Sequence, residues 1–588
     1  MSMGLGFALP ALRQNGFSPL SLFASGAQGV WYDDSLTSSM YQGSTQQGAT
    51  PAALESPVGL QLDLSQGLAL GSELVVNGDF SGGTTTGWTA EGGATLSVDS
   101  GRMKVVTTGS SQGASQALTG LVVNTIYQIS VTVTVGGADW IVLLGNSWAQ
   151  GQGFSSGQRS TSQTYSIIYH CTSAAAFVFS LFSYGAGTTY YDNITVKSIA
   201  GNHRTQATSA NRPTLSARYN LLTKTEDFSN AAWTAVGTSI ATTNPITAPN
   251  GGSAYLATQT TGYINSAAIT VSTSVLYTAT QYFYAGTATW IQFGIVDNIL
   301  TNGGIAWFNI ATGAIGSNVA LGLGSAPTAY SITPVSGFAG WYVISYTGLP
   351  YSTSARTFWR AVATDGSSVS IAATYYPFGA DVRPANQATG LIPTYQRVDT
   401  SSVYDTVGFP QYLKYNGSNS SLSTASINFT ATAQMGVFSG LRKISVITAV
   451  WVELSTSVST NNGSFLIDPP DSADNTIGVY VKGTILLGLP ITSSTVISPA
   501  TITSASQLAI ATSGTTISNN LNGSLINSST GSTGTGNFGN YPLYFGARAG
   551  TSFFFNGYEF QTIIVGKTLT ATEISNTETY VNSKTKAY

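Results

Sequence analysis

A repeated line of sequence constrains this chain more than any other feature. An Asp-Phe-Ser triplet followed by a tryptophan occurs over residues 79–88 and again over residues 227–233. Each copy opens a long Thr- and Gly-rich stretch that closes on aromatic residues and an aspartate, at 190–192 and at 376–381. An internal repeat of this size predicts two copies of one structural module.

The residues between these lines have the alternation of β-strands. Residues 125–135 and much of 446–452 alternate polar and apolar side chains with a period of two, and Gly, Asn and Ser separate such runs. The C-terminus is the exception, because Thr570 and Glu573 form a capping-box pattern that predicts a short helix to about Lys584. The sequence therefore predicts an all-β fold with a short C-terminal helix.

Composition narrows the class of protein. Charged residues make up only 8% of the 588 residues, against about 25% in a typical globular protein, so the surface must consist of Ser, Thr, Asn, Gln and Gly. The 11% aromatic content and the regular alternation exclude disorder. A net charge of -3 without a basic cluster argues against nucleic-acid binding. The single cysteine, Cys171, excludes an intrachain disulfide, and no apolar run is long enough to span a membrane.

Short strings around the repeats resemble a known domain family. Residues 29–34, 57–63, 201–208, 212–215 and 412–417 resemble the start of the concanavalin A-like (laminin G-like) domains of tailed-phage and prophage virion proteins. In simpler relatives these pieces run almost continuously, whereas here the repeat-bearing stretches lie between them. The resemblance implies one discontinuous β-sandwich with two jelly rolls, similar to carbohydrate-binding modules, inserted in its loops.

The implied division has four parts: an N-terminal anchor segment at 1–28, the concanavalin A-like sandwich at 29–72 plus 200–219 plus 400–588, jelly-roll module 1 at 73–199 and jelly-roll module 2 at 220–399. A flexible leader is the alternative for the first part. Insertion requires that residues 200–219 pack with residues beyond 400 and do not form a free linker.

Aromatic side chains are the candidate sugar contacts, since sugars stack their apolar faces on exposed rings. The candidates are Trp140, Trp148 and Tyr184 in module 1, and Trp290, Trp307 and Trp359 in module 2. Core packing is the alternative for every tryptophan. We expect Trp88 and Trp233, which belong to the repeated opening, to lie in the core.

Calcium is the candidate cofactor. In jelly rolls of this type a calcium ion often ties the first strand to the last, so the resemblance implies Asp79 with Asp192 in module 1, and Asp227 with Asp381 in module 2. A hard cation needs several oxygen ligands, and turn capping by these carboxylates is the alternative.

No catalytic residue is predicted, and we do not expect an enzyme. His170 lies beside Cys171, but adjacent residues on a strand point to opposite faces and cannot easily form a nucleophile–base pair. No phosphate-binding loop or zinc-ligand spacing is present in the sequence.

The resemblance also supplies a setting and partners. It implies a phage virion surface protein, a tail fibre or similar appendage that binds host-surface glycan, with a capsid fibre or decoration protein as the alternative. A glycan-degrading tailspike is the weakest reading, because no long right-handed β-helix repeat is seen. The expected partners are other virion proteins, through the N-terminal segment, and host-surface polysaccharide. A homotrimer is expected, located in the virion after assembly in the bacterial host cytoplasm, without nucleic-acid binding or membrane insertion.

Overall fold

The computed structural model of the protein describes most of the chain. The described residues are 16–43, 50–145, 147–148, 154–172, 177–242, 246–387, 391–444, 448–469, 477–491, 502–511 and 516–588. Within these ranges the regular structure consists of β-strands, short 3-10 helices and one α-helix, so the all-β fold class is confirmed. The 3-10 helices are Pro19–Phe23, Thr37–Ser39, Ser209–Asn211 and Ala385–Gln387.

The strands are numbered here in chain order, and the first groups lead into module 1. The N-terminal strands are Gly29–Asp33 (β1), Met40–Tyr41 (β2) and Leu60–Gln61 (β3). The strands of module 1 are Leu70–Glu73 (β4), Thr89–Glu91 (β5), Thr95–Asp99 (β6), Arg102–Thr107 (β7), Gln112–Leu118 (β8), Ile126–Gly136 (β9), Trp140–Gly145 (β10), Phe154–Ser155 (β11), Gln163–His170 (β12), Phe177–Ser183 (β13) and Gly187–Ile199 (β14).

The joint and module 2 follow. The joint holds Arg204–Thr205 (β15) and Thr214–Ser216 (β16). The strands of module 2 are Trp233–Ala241 (β17), Leu256–Ser266 (β18), Ile269–Thr270 (β19), Tyr277–Ala285 (β20), Trp290–Asp297 (β21), Gly303–Asn309 (β22), Ala314–Leu321 (β23), Ala329–Pro334 (β24), Trp341–Gly348 (β25), Ser354–Val362 (β26), Ala373–Pro384 (β27) and, towards its end, Val398–Thr400 (β28). Val403–Tyr404 (β29) pairs with β28 as a two-stranded ribbon.

The C-terminal part completes the sandwich. Its strands are Tyr412–Asn416 (β30), Leu422–Thr424 (β31), Ile427–Asn428 (β32), Gln434–Lys443 (β33), Val452–Leu454 (β34), Ser464–Ile467 (β35), Ile477–Lys482 (β36), Leu486–Ile491 (β37), Ile502–Ala511 (β38), Thr516–Leu521 (β39), Ser524–Thr530 (β40), Asn540–Tyr541 (β41), Leu543–Phe545 (β42) and Asn556–Val565 (β43). The helix is Ala571–Thr585 (α1), and its capping box is present: Thr570 Oγ1 accepts from the Glu573 amide at 3.2 Å, and the Thr570 amide donates to Glu573 Oε2 at 2.9 Å.

The sandwich draws its sheets from three separate parts of the sequence. One sheet runs β16-β30-β43-β33-β38-β39-β40, with β1 also paired to β43, and the other runs β2-β3-β15-β31-β42-β34-β35-β36-β37. The joint strands β15 and β16 therefore pair with β31 and β30, antiparallel. The prediction that residues 200–219 pack with residues beyond 400 is confirmed by these pairings, while the domain boundaries themselves stay a prediction.

Each module has a core of its own. Module 1 consists of a five-stranded sheet, β11-β10-β13-β8-β5, and a six-stranded sheet, β12-β9-β14-β7-β6 with β4 on β14. The strands of module 2 form one continuous sheet, β23-β22-β21-β26-β18-β27-β20-β25-β24, with β17 and β19 paired to β18 and β26. The two cores are closed by the residues of the repeated openings, since Trp88 and Trp233 are both buried, as expected.

The segment before β1 belongs to the sandwich. Leu22 and Phe23 are buried in one apolar cluster with Trp31 of β1 and Tyr580 of α1, and the ring of Phe17 meets that of Tyr580 edge-on at 6.4 Å. Residues 17–23 therefore pack on the sandwich, while an anchoring role for the segment at 1–28 stays a prediction. Residues 1–15 lie outside the described residues.

A buried ion cluster joins the three parts of the sandwich. Arg204 of β15 is fully buried and contacts Glu559 of β43, with Nη1 at 3.0 Å from Oε1 and Nη2 at 2.9 Å from Oε2. Its Nη2 also lies 3.6 Å from Asp34 Oδ1, and Gln61 Oε1 accepts from its Nε at 3.0 Å. The guanidinium lies 4.3 Å from the ring centroid of Tyr32. Residues distant in sequence thus meet around one cation, which fixes how the three parts assemble.

Candidate functional site

The outer face of the five-stranded sheet of module 1 carries a row of side chains that faces away from the module core. Antiparallel register places Ile141 opposite Phe182, Phe182 opposite Gly113, and Gly113 opposite Glu91. The intervening residues of these strands, such as Val142, pack in the core instead. From Phe182 to Glu91 the row spans two strand spacings, about 10 Å.

Three aromatic rings lie together on this face. Trp148 lies over Phe182 with ring centroids 5.6 Å apart and a tilt of 35°, and Tyr184 meets Phe182 edge-on at 5.0 Å. Trp148 reaches the centre of the row because Gly113 has no side chain: a Cβ there would lie 2.9 Å from Trp148 Cη2. Trp148 is half-buried and Tyr184 is 45% exposed, so both rings are accessible from solvent.

Polar groups lie beside the rings on the same face. Ser115 Oγ donates to Glu91 Oε1 at 2.6 Å, which orients that carboxylate at the end of the row. Ser180, opposite Ser115 in the register, is buried, and its hydroxyl finds no hydrogen-bond partner among the described residues. An aromatic platform with adjacent hydroxyl and carboxylate groups can stack an apolar ligand face and hydrogen-bond its polar substituents.

Module 2 has a corresponding outer face on β22, β21, β26 and β18. Trp307, Phe358 and Val362 form a buried cluster there, with Tyr263 and Trp290 packed against it. The Tyr263 and Phe358 rings lie 5.4 Å apart and border a groove of about 140 Å³. Residues that alternate with them, such as Trp359, pack in the module core.

The structure separates the six predicted aromatic residues. Trp148 and Tyr184 lie together on the module 1 face, and Trp290 is half-buried on the module 2 face. Trp140 and Trp359 are fully buried in the two cores, which leaves no ring face for a sugar, so the prediction of a stacking role is wrong for them.

Trp307 requires a separate correction. It points to the outer face of module 2, but it is only 3% exposed, and its Nε1 donates to the Ser367 carbonyl at 2.7 Å. The Ser367 carbonyl therefore satisfies its polar edge while neighbouring apolar side chains of its cluster cover its ring, and a stacking role for Trp307 is wrong as well.

Sequence reasoning missed the residues that shape these faces. Phe182 could have been predicted to share the outer face with Tyr184, because it lies two residues earlier in the sequence and residues two apart on a strand share a face. Gly113, Glu91 and Ser180 gave no signal, since only strand register places Gly113 opposite Glu91 and Ser180 opposite Ser115.

The predicted calcium ligands of module 1 lie where the first and last lines of the module meet. The Ile194 amide donates to the Gly78 carbonyl at 3.0 Å. Asp79, however, accepts from the Ser81 hydroxyl at 3.1 Å, and Asp192 accepts from the Asn193 amide at 2.8 Å. These contacts are those of turn caps, and a calcium role for the pair stays a prediction.

In module 2 the predicted pair does not fit a calcium ion. Asp381 is buried and forms a two-pronged pair with Arg383, two residues along β27, so a guanidinium occupies the place of a cation. Asp227 accepts from the Ser229 hydroxyl at 2.7 Å and from the Tyr255 hydroxyl at 3.1 Å. The assignment of Asp381 as a metal ligand is therefore wrong. Among the described residues, no group of three or more His, Cys, Asp or Glu could hold a metal ion.

His203 has a structural role, because both of its ring nitrogens contact the backbone. His203 Nδ1 accepts from the Asp63 amide at 2.9 Å, and its Nε2 lies 3.0 Å from the Ile199 carbonyl, which together require the neutral ring protonated at Nε2. Burial lowers the pKa of His203 against the opposite effect of Asp63, which favours the same neutral form. Cys171, beside His170, is buried in the core of module 1. In the part of the chain that the structure describes, no helix is long and apolar enough to cross a membrane.

Comparisons with known proteins bear on module 1. Residues 72–153 match a family model described as carbohydrate binding domain. This segment includes Glu91, Gly113 and Trp148 of the outer face. A search of curated proteins gives no match.

Three of the solved structures with some similarity are binding modules or single domains of larger proteins. The tandem CBM22-1–CBM22-2 domain of Xyn10C from Paenibacillus barcinonensis is 14% identical with a TM-score of 0.22, covering 54% of this chain and 98% of that one. Its CBM22-1 xylan-binding domain alone is 20% identical with a TM-score of 0.19, covering 22% and 97%. Domain 4 of AbnA, an extracellular arabinanase from Geobacillus stearothermophilus solved with arabinotriose, is 14% identical with a TM-score of 0.23, covering 28% and 75%. TM-scores this low assign no common fold, so only the family match bears on the function of residues 72–153.

Proposed function

We propose that this protein binds glycan without cleaving it, and that the outer face of module 1 is a binding surface. The observation that supports this is the coincidence of two features in one segment. The segment that matches the carbohydrate-binding family model contains Gly113 and Trp148, whose ring lies over that glycine on a face turned away from the core. Phe182 and Tyr184, which follow the matched segment in the sequence, complete the group of rings. Rigid rings beside hydroxyl and carboxylate groups are what a sugar surface needs.

A binding role without catalysis is consistent with what the buried acids do. Asp34 and Glu559 face Arg204 inside the sandwich, and Asp381 faces Arg383 inside module 2. Each of these carboxylates is committed to a structural cation and is not presented to a ligand. Incubating the protein with any glycan it binds and assaying for new reducing ends tests this proposal, because their release would contradict it.

The setting we propose is the surface of a tailed-phage virion, as a tail fibre or similar appendage, with a capsid fibre or decoration protein as the second candidate. The resemblance of the joint strings to virion domains supports this setting, and the trimer expected for such appendages is part of the same proposal. Labelling intact particles with antibody against the protein and imaging them by electron microscopy separates tail from head, and particles without label would contradict both.

Replacing Trp148 by alanine is expected to weaken glycan binding by module 1 about 10- to 30-fold, the loss typical of a central aromatic contact. The reason is that the change removes the ring over Gly113 and leaves Phe182 without its cover. The measurement is glycan-array binding with the full chain, followed by calorimetric titration of the best ligand.

Trp148→Phe is the matched control, since it keeps a ring at the same position and should retain most of the affinity. Amide hydrogen exchange in β8 and β13 reports whether the Ala variant remains folded. A folded Trp148→Ala protein that binds as tightly as the wild type would place the binding surface elsewhere.

A further inference from the structure

The groove on the outer face of module 2 contains an arginine, Arg360, whose charge is not balanced by any acidic side chain among the described residues. Arg360 of β26 lies opposite Gln292 of β21 in the register, and its Nε donates to Gln292 Oε1 at 2.7 Å. Within the described part of the chain, Arg360 has no other hydrogen-bond partner and no acidic side chain within ion-pair distance. Burial lowers the pKa of Arg360, which reflects the cost of holding this charge at a partly closed site.

Gln292 provides a second unused donor in the same groove. Its side chain is fully buried, and its amide orientation is fixed because Oε1 must face the Arg360 Nε–H. The Nε2 group then has no partner among the described residues, although both of its hydrogens are buried. An unmade hydrogen bond at a buried donor costs about 1–3 kcal/mol, so a ligand that accepts from it would recover that free energy.

Arg356, on the same strand, differs from Arg360 because its guanidinium has two hydrogen-bond partners. Arg356 donates through Nε to Asn298 Oδ1 at 2.8 Å and through Nη1 to the Ser266 carbonyl at 2.7 Å. Arg360, by contrast, lies with its Cζ 5.5 Å from the centroid of the Phe358 ring, so its Nη groups are left to face the groove.

The walls of the groove suit a single ring. Tyr263 and Phe358 form one side, and Val296, Leu300 and Leu321 are among the apolar residues that line the rest. The groove volume of about 140 Å³ is below the roughly 300 Å³ of a pocket for a drug-sized ligand. It therefore fits one end of a ligand, with an apolar body against the aromatic wall and an acceptor group at Arg360 and Gln292.

We propose that this groove binds a carboxylate-bearing sugar, a uronic or sialic acid residue, with the carboxylate received by Arg360 and Gln292. The proposal rests on the glycan-binding function proposed above and gives it a substrate class. A carboxylate has two oxygens and one charge, which match a guanidinium fork and one amide donor. A phosphate monoester, with close to two charges at neutral pH, would leave one charge unbalanced beside a single arginine.

The test compares acidic glycans with their own neutral forms. Full-length protein is applied to an array of glycans that end in glucuronic, galacturonic, mannuronic or sialic acid, together with the same glycans after reduction of the carboxyl group to the alcohol. We expect the acidic member of at least one pair to bind about 10- to 100-fold more tightly, as for one charge-assisted hydrogen-bonded contact. Equal binding of both members in every pair would overturn the proposal.

Two variants assign the preference to the groove. Arg360→Met removes the charge and keeps the stem, and Gln292→Glu supplies an internal carboxylate of the same shape that occupies Arg360. Both should abolish the preference, so that the acidic and the reduced member of a pair bind with equal affinity. Arg356→Met is the matched control and should retain the preference, because its guanidinium is already occupied. Retention of the preference in Arg360→Met would overturn the proposal.

Failure here is distinguishable from failure of the proposed function. Binding of neutral glycans that is lost in Trp148→Ala, without any acid preference, would uphold the function of module 1 and overturn the inference for module 2. Absence of binding to every glycan would overturn both. Tighter binding of sulfated glycans than of carboxylated ones, lost in Arg360→Met, would overturn the carboxylate assignment in favour of a sulfate ester.

Discussion

Replacing Arg204 by methionine is expected to destabilise the sandwich by about 3–5 kcal/mol, the cost of leaving buried charges without their partner. Arg204 is the cation between Glu559 and Asp34, and all three side chains are fully buried. Methionine fills much of the same volume, so the loss arises mainly from the uncompensated carboxylates and less from a cavity. Amide hydrogen exchange of the full chain measures it, because the opening of β43 and β30 can be followed separately from module 2.

An exposed arginine–aspartate ion pair supplies the matched control. Arg397 and Asp405 form an ion pair with side chains 40% and 50% exposed. Arg397→Met is therefore expected to cost only about 0–1 kcal/mol, as surface pairs do. Equal losses in Arg204→Met and Arg397→Met would show that the buried cluster does not hold the three parts of the sandwich together.

The pH dependence separates charge from packing in the Arg204 variant. Burial, and next the charge of Glu559, raise the pKa of Asp34 well above its usual range, against the opposite effects of Arg204 and Gln61. Because the folded-state pKa is raised, the contribution of Asp34 to stability is complete below its unfolded pKa, about 3.9, and is lost as the pH rises through the folded value. Asp34→Asn should flatten this loss. In Arg204→Met, acidification should recover part of the stability, since protonation removes the unpaired charges; a deficit independent of pH would point to packing alone.

Those parts of the topology that depend on short-range sequence patterns could be predicted from the sequence. Strand alternation predicted the fold class, and the Thr570–Glu573 spacing predicted the helix and its cap. The order of the joint strings around the repeats predicted that residues 200–219 pack with residues beyond 400, and residues 214–216 do pair with 412–414. These features depend on local chemistry or on strings that keep their order along the chain.

The sequence did not predict which face of its strand each aromatic side chain occupies, the core or the outer face. Trp140 and Trp290 both occur in an Ala-x-Trp-Ile string at the start of equivalent strands. Trp140 points into the core and Ile141 outward in module 1, whereas Ile291 points inward and Trp290 outward in module 2. A shift of one residue exchanges the two faces of a strand, and that shift is set by pairing with strands distant in the sequence. The candidate sites could not be predicted for the same reason, because the roles of Gly113 and Gln292 depend on the residues that they face on neighbouring strands.

Replacing Trp359 by alanine is expected to unfold module 2, or to destabilise it by about 3–5 kcal/mol, as large-to-small changes at buried aromatic residues do. Trp359 is fully buried at the centre of an aromatic cluster, with ring centroids 5.3 Å from Trp233, 5.7 Å from Phe228 and 6.0 Å from Phe283. These partners come from the repeated opening line and from β20, so the cavity would separate the opening of the module from its sheet. Hydrogen exchange in β20 and β27 should rise by orders of magnitude.

Trp290→Ala in the same module is the matched control, and the pair decides between two roles for a tryptophan. Trp290 is half-buried on the outer face, beside the groove cluster and outside the core, so its loss should leave protection in β20 nearly unchanged. If Trp359 were a sugar contact, its Ala variant would keep the fold and lose only ligand binding, which is the reverse of what its burial predicts. A Trp359→Ala protein with native exchange protection in β20 would therefore contradict the core assignment. Glycan binding through Trp148 should persist in both variants, because module 1 closes its own core around Trp88 and Trp140 without a contribution from Trp359.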